Sequence, residues 1–170
     1  MKVIYYIYDR KYYIDSMNDN HLQIAEMTLN TDEGLRLTPY LDSKGIWSVG
    51  FGFNLQTTPM PRKVAVLWLT CLVEDRDSAL DGKLEYYHRL SDARKAVLIN
   101  MSYQLGVAGL MNFIKMHEAL MVDDFVNAVD EMKDSRWYRS FTNRADRLCF
   151  MMQFDRYSTR EESKSFNTNL

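Results

Sequence analysis

The chain has 170 residues, 46% of them hydrophobic and 26% charged, the balance of a folded globular protein large enough to bury a core in one domain, with room for two lobes. Its 21 basic and 23 acidic residues leave a formal charge of −2, which gives no field of one sign for nucleic acid or for steering to a polyanionic surface. The longest apolar run, residues 64–73, is too short to span a bilayer.

Residues 1–20 differ from the rest. The β-formers Val3 to Tyr8 and Tyr12 to Ile14 surround the polar Asp9-Arg10-Lys11, a pattern that fits a hairpin or a partly ordered extension. No basic segment followed by an apolar region and a small-residue cleavage site marks a secretory signal. Helical spacing of Leu22, Ala25, Glu26 and Leu29 predicts a helix over 21–31, stopped by Gly34. Residues 36–56 read as short strands punctuated by Pro39, Asp42-Ser43-Lys44-Gly45, Gly50 and Gly52.

Pro59 and Pro61 precede a helix expected over 62–81, with Val66, Leu67, Leu69, Thr70 and Val73 on its apolar side and Gly82 as its stop. Ser91 is a good N-cap for the next helix, which shows Val97, Leu98, Met101 and Leu105 on one side and is expected to end at Gly106. Further helices fit 111–120, 124–132 and 144–155, and residues 158–170 form a polar tail. Cys71 and Cys149 lie in apolar helical stretches and are expected as buried free thiols in a reducing compartment.

The chemistry-bearing residues concentrate between Glu33 and Ser48. Glu33 falls at a helix C-terminus, where the dipole disfavours a negative charge, and such a local conflict is a mark of a functional position. Asp42 follows nine residues later and Ser48 six after that. Two carboxyl groups and a hydroxyl on a short hairpin can protonate a glycosidic oxygen and hold a water, although on spacing alone a solvated surface carboxylate is the commoner reading of Glu33. His21, His88 and His117 show no metal-ligand spacing. Gly50-Phe51-Gly52 lacks the third glycine of a dinucleotide loop. Ser48 is not in a Gly-x-Ser-x-Gly elbow. No cofactor or metal is expected.

The run Asp32-Glu33-Gly34, Tyr40, Asp42, Gly45 and Ser48-x-Gly50-x-Gly52 resembles the phage-type lysozymes (endolysins, muramidases). Their signature is Glu-Gly, Tyr, Asp, Gly and a Thr-x-Gly-x-Gly strand. Residues 93–106 resemble that family's core helix, and Ser135-Arg136-Trp137-Tyr138 with Asn143-Arg144-Ala145 and Arg147 resembles its C-terminal motif. The likeness covers residues 23–155 and implies an α+β fold. A small β-hairpin lobe, about 34–58, would be joined by the helix at 62–81 to a helical lobe, 84–157, with the site in a cleft between the lobes. Residues 21–157 would then be the catalytic domain.

The resemblance further implies hydrolysis of the β-1,4 bond between N-acetylmuramic acid and N-acetylglucosamine in peptidoglycan, leading to bacterial lysis. Glu33 would be the general acid, with Asp42 and Ser48 positioning water. Arg144 would pair with the acid, and Tyr103 and Gln104 would line the substrate cleft. Trp137 would be core packing, and Trp47 should point away from Ser48 by strand alternation. The protein would be a monomer made in a host cytoplasm, acting on the wall after release, with neither nucleic acid nor a membrane span involved.

Three departures stand out: serine at 48 where the family has threonine, Phe53 where it commonly has histidine, and a shorter segment between Gly52 and Arg94. With the unusual N-terminal extension they keep open a non-catalytic wall-binding or structural protein; a second alternative, a lytic transglycosylase, needs no water-holding Asp, and Asp42 and Ser48 argue against it.

Overall fold

Glycine and proline cut the first third of the chain into short pieces, while the remainder carries helical spacing almost throughout. The computed structural model describes residues 20–157. The expected N-terminal hairpin and the polar tail lie outside the described residues. The chain forms two compact units, one ending at Pro61 and the other starting at Arg62. The described residues are mostly helical, with one small antiparallel sheet, an α+β composition.

In the first unit, helix α1 (Asn20–Glu33) ends at Gly34, whose φ of 65° reverses the chain. A three-stranded sheet follows in the order β1 (Arg36–Leu41), β2 (Trp47–Gly50), β3 (Phe53–Asn54). Tyr40 pairs with Ser48, Leu41 with Trp47, and Ser48 with Asn54. The β1–β2 ladder is irregular between Arg36 and Tyr40. Pro39 lies in that stretch and has no N–H to give a ladder. Ser48 is buried at 3% exposure, while its neighbour Trp47 is half exposed, as strand alternation requires.

The second unit is helical: α2 (Arg62–Asp81), a 3-10 turn (Tyr87–Arg89), α3 (Asp92–Met111), α4 (Ile114–Met121), α5 (Phe125–Lys133), α6 (Arg136–Ser140) and α7 (Thr142–Phe154). Its core gathers Leu80, Val97, Leu98, Met101, Leu110, Met116, Leu120, Met132, Leu148 and Met152, all buried. Caps set the helix starts. The Ser91, Asp124 and Ser135 side chains accept from the N–H groups of Arg94, Asn127 and Tyr138. Among the described residues no single helix is long and apolar enough to cross a membrane.

The structure departs from the sequence reading in three places. At Gly106 (φ 71°, ψ 160°) the first helical segment of α3 ends as expected, and a second segment runs on across a kink to Met111. A glycine can take that conformation as a single-residue kink and let the helix restart. The short helix α6 has no counterpart among the expected elements. It is one turn and a half, too short for a period to show. On α2 the apolar Val66, Leu67, Leu69 and Val73 are exposed, and the buried residue is Leu80 near the C-terminal end. Cys71 and Cys149 are free, but only Cys149 is buried, and burial pushes its thiol pKa up to about 12, so it stays protonated and inert.

α3 and α7 are tied at their far ends. The Arg94 guanidinium donates to Met152 O at 3.0 Å and to Asp155 Oδ2 at 3.2 Å, and it stacks over the Phe125 ring. A second tie is neutral. His117 on α4 donates from Nε2 to Leu110 O at 3.0 Å, because a carbonyl can only accept. Its Nδ1 therefore accepts from the Tyr86 hydroxyl at 2.5 Å.

Burial lowers the His117 pKa from its ordinary value, while the bond to Leu110 partly opposes this. A histidine whose folded pKa is depressed gives stability that is full above its unfolded pKa and is lost as pH falls towards the folded one. Chemical denaturation between pH 7.5 and 4.5 should therefore show stability falling with acidification. The slope should be shallower in His117→Gln, and an identical slope would remove His117 as a contributor.

Candidate active site

The first-unit residues singled out by sequence are set around two turns. Asp42 follows β1, and its Oδ1 accepts from the backbone N–H of Lys44 and of Ile46, both at 2.8 Å, closing the hairpin as an Asx-type turn. The Asp42 N–H in turn donates to Ile46 O at 2.9 Å. Ser48 Oγ donates to that same Ile46 carbonyl at 3.5 Å, a long contact. Asp42 and Ser48 thus meet at the two ends of the Ile46 residue, without a direct bond between their side chains among the described hydrogen bonds. One carboxylate oxygen of Asp42 is committed to the turn. The other makes no described hydrogen bond and can hold a water.

Glu33 is the last residue of α1 and is exposed. Its carboxylate lies against the turn between β2 and β3, where a Cβ built on Gly52 would stand 3.0 Å from Glu33 Oε2. Gly52 also has a φ of 73°, so two independent constraints require glycine there. Beside it, Gly50 (φ 68°) is covered by the Phe53 ring, which would stand 2.8 Å from an added Cβ. Phe53 in turn meets Phe51 edge-on, with ring centroids 6.3 Å apart. Asp42 and Ser48 therefore sit on the one small sheet and its turns, and the Glu33 carboxylate at the end of α1 lies against one of those turns.

The second unit holds the other three. Tyr103 and Gln104 lie on α3, with Tyr103 44% exposed. Gln104 Oε1 accepts from the Trp137 indole N–H at 3.0 Å, which fixes the amide and leaves its NH2 group to donate outward. Trp137 is buried at 4% exposure and packs edge-on against Phe113. The reading of Trp137 as packing alone therefore missed its second task. Trp137 and Phe113 also line an open groove of about 920 Å3 with Leu105, Met116, Glu131 and Arg136.

Arg144, in the first turn of α7, donates from Nε to Asn100 Oδ1 at 2.7 Å. Burial, then the like charge of Arg147, lower its pKa from the ordinary value, while Tyr103 opposes them. Sequence reasoning passed over three contributors: Asn100, Gly52 as a floor for Glu33, and the Ile46 peptide. Asn100 was signalled by its spacing, three and four residues before Tyr103 and Gln104 on one helix face.

No family model matches the chain. Two curated proteins are distant relatives. "Pre-baseplate central spike protein Gp5" of Enterobacteria phage T4 is 27% identical over 164 residues, covering 79% of this chain. The match spans 28% of that protein's length. "Probable T4-type lysozyme 1" of Dictyostelium discoideum is 26% identical over 155 residues, covering 74% of this chain and 91% of its own length.

Two substitutions test the geometry. Gly52→Ala must strain a left-handed residue, by about 1–2 kcal/mol, and push the Glu33 carboxylate aside. It should lower any Glu33-dependent activity at least tenfold while the melting temperature drops by only a few degrees. Trp137→Phe keeps most of the packing and removes the N–H. It should weaken substrate binding more than turnover, read as a rise in KM with kcat little changed.

Proposed function

We propose that the protein is a peptidoglycan hydrolase of the lysozyme type, cleaving the β-1,4 bond between N-acetylmuramic acid and N-acetylglucosamine and so lysing bacteria. The observation that carries this reading is the setting of Asp42 and Ser48 around the Ile46 residue of one hairpin, with the Glu33 carboxylate against the turn at Gly52. The relative named a T4-type lysozyme supports the same class of reaction.

In the mechanism, Glu33 protonates the glycosidic oxygen as positive charge develops at the anomeric carbon. A water held by the uncommitted oxygen of Asp42 and by Ser48 Oγ attacks the opposite face. Asp42 accepts its proton. The two carboxyl groups of an inverting enzyme stand about 6.5–9.5 Å apart to admit that water, so the product has inverted configuration. Tyr103 and the Gln104 amide on α3 contact the sugar chain. The groove beside Trp137 carries Lys115, Arg136, Glu118, Glu131 and Asp134, both signs of charge, as peptide stems on the polymer would require. The enzyme acts on the wall as a monomer after release from the host cytoplasm and needs no cofactor.

The test is clearing of purified peptidoglycan by the parent and by Glu33→Gln across pH 4–9, with proton NMR of the first product. Clearing that Glu33→Gln loses by at least a hundredfold, with an inverted anomer, is the expected result. Products lighter by one water would mean a lytic transglycosylase. Binding to walls without cleavage by a folded parent would mean a wall-binding protein, and equal clearing by both variants would mean another acid.

A further inference from the structure

Helix α6 is five residues long, too short to be stable without tertiary anchors. Its Arg136, Arg139 and Ser140 are exposed, while Trp137 is buried and Tyr138 half-buried. Successive residues of a helix point about 100° apart, and these two inward side chains reach different elements of the same unit. The Trp137 indole N–H donates to Gln104 Oε1 on α3 at 3.0 Å, and the Tyr138 hydroxyl donates to Asp146 Oδ1 on α7 at 2.5 Å. Two anchors in different directions fix the rotation of a short helix about its axis. A single anchor leaves it free to turn.

Asp146 is 8% exposed. It shares the inner side of α7 with Ala145, Leu148, Cys149 and Met152, all buried. A carboxylate there is costly to desolvate, and an apolar side chain would serve the packing at lower cost. We propose that Asp146 is a positioning residue: by holding the Tyr138 hydroxyl it sets the rotation of α6 and, through the Trp137 indole, the direction in which the Gln104 amide faces substrate. This rests on the reading of Gln104 as a substrate contact given above. A carboxylate suits the task because it only accepts, which commits the Tyr138 hydroxyl as donor, and because a charge-assisted bond is stronger than a neutral one. Without it α6 is held through Trp137 alone. The indole N–H then swings off Gln104, and the amide is free to flip and present its oxygen where its NH2 group stood.

The indole itself reports the outcome. The chain has three tryptophans, Trp47, Trp68 and Trp137, so a proton–nitrogen NMR spectrum carries three indole N–H resonances, each assigned by its Trp→Phe variant. The Trp137 resonance should be followed in the parent, Asp146→Leu, Asp146→Asn and Tyr138→Phe, together with KM and kcat on soluble peptidoglycan and the melting temperature. Asp146→Leu and Gln104→Ala should also be measured for KM, the former alone and in the Trp137→Phe background.

We expect Asp146→Leu to stay folded, to shift the Trp137 indole resonance towards that of a free indole, and to raise KM about three- to tenfold, the loss of one hydrogen bond, with kcat little changed. Asp146→Asn keeps an accepting oxygen and should restore the resonance and most of the affinity. In the Trp137→Phe background Asp146→Leu should add nothing to KM. If Asp146→Leu fails to fold, Tyr138→Phe, which removes one oxygen, carries the test with the same expected result. An unmoved resonance with the parent's KM, or a further rise in KM in the Trp137→Phe background, would overturn the proposal and leave Asp146 a structural residue. A Gln104→Ala variant with the parent's KM, or a parent that cleaves no peptidoglycan, would overturn the reading of Gln104 and this proposal with it.

Discussion

The second unit depends on the burial of one side of helix α3. Val97, Leu98 and Met101 are fully buried, and the helical period brings them to one face. The same period puts Asn100, Tyr103 and Gln104 together on another side. Locking the apolar face therefore fixes where the polar face points, without any of the polar residues contributing to the core. Two partners then reach α3 from other elements. Trp137 comes from α6 to hold Gln104, and Arg144 comes from α7 to meet Asn100. A helix that could rotate in its packing would lose both contacts at once, so the tie from Arg94 to the C-terminal end of α7 at Asp155 serves the polar face as well as the core.

The first unit obtains its order differently. Among its described residues Ser48 is the buried one, and large apolar side chains such as Leu37 and Phe53 are exposed. Its geometry comes from polar turn closures and from glycines at positive φ. Asp42 illustrates the economy and the conflict in this arrangement: one oxygen closes the hairpin through Lys44 and Ile46, and in the proposed mechanism the other holds water. Removing the side chain would remove the turn with it, so a loss of activity in an alanine variant would say little about chemistry. Asparagine keeps the accepting oxygen and loses the charge, and it separates the two roles.

Much of this was legible in the sequence because it was signalled locally. The bounds of α2 follow from Pro61 and Gly82, the end of α1 from Gly34, and the start of α3 from Ser91. The illegible parts are those made through space or by very short elements. Nothing in the sequence pairs His117 with Tyr86, 31 residues away, or Arg144 with Asn100. Gly106 was legible as a helix end, whereas the second helical segment that runs on from it to Met111 was not. The apolar pattern of α2 was visible, but a pattern says which residues could be buried together, not which are.

Phe53 shows how a departure from the expected pattern is absorbed. A histidine at this position would add a titrating group to the sheet; a phenylalanine ring instead lies over Gly50 and against Phe51. It replaces an ionic contribution with apolar cover at a turn that already demands glycine. The pH behaviour of the protein is then set elsewhere. On the acid side, the buried neutral His117 must be charged for the fold to loosen, and burial resists that.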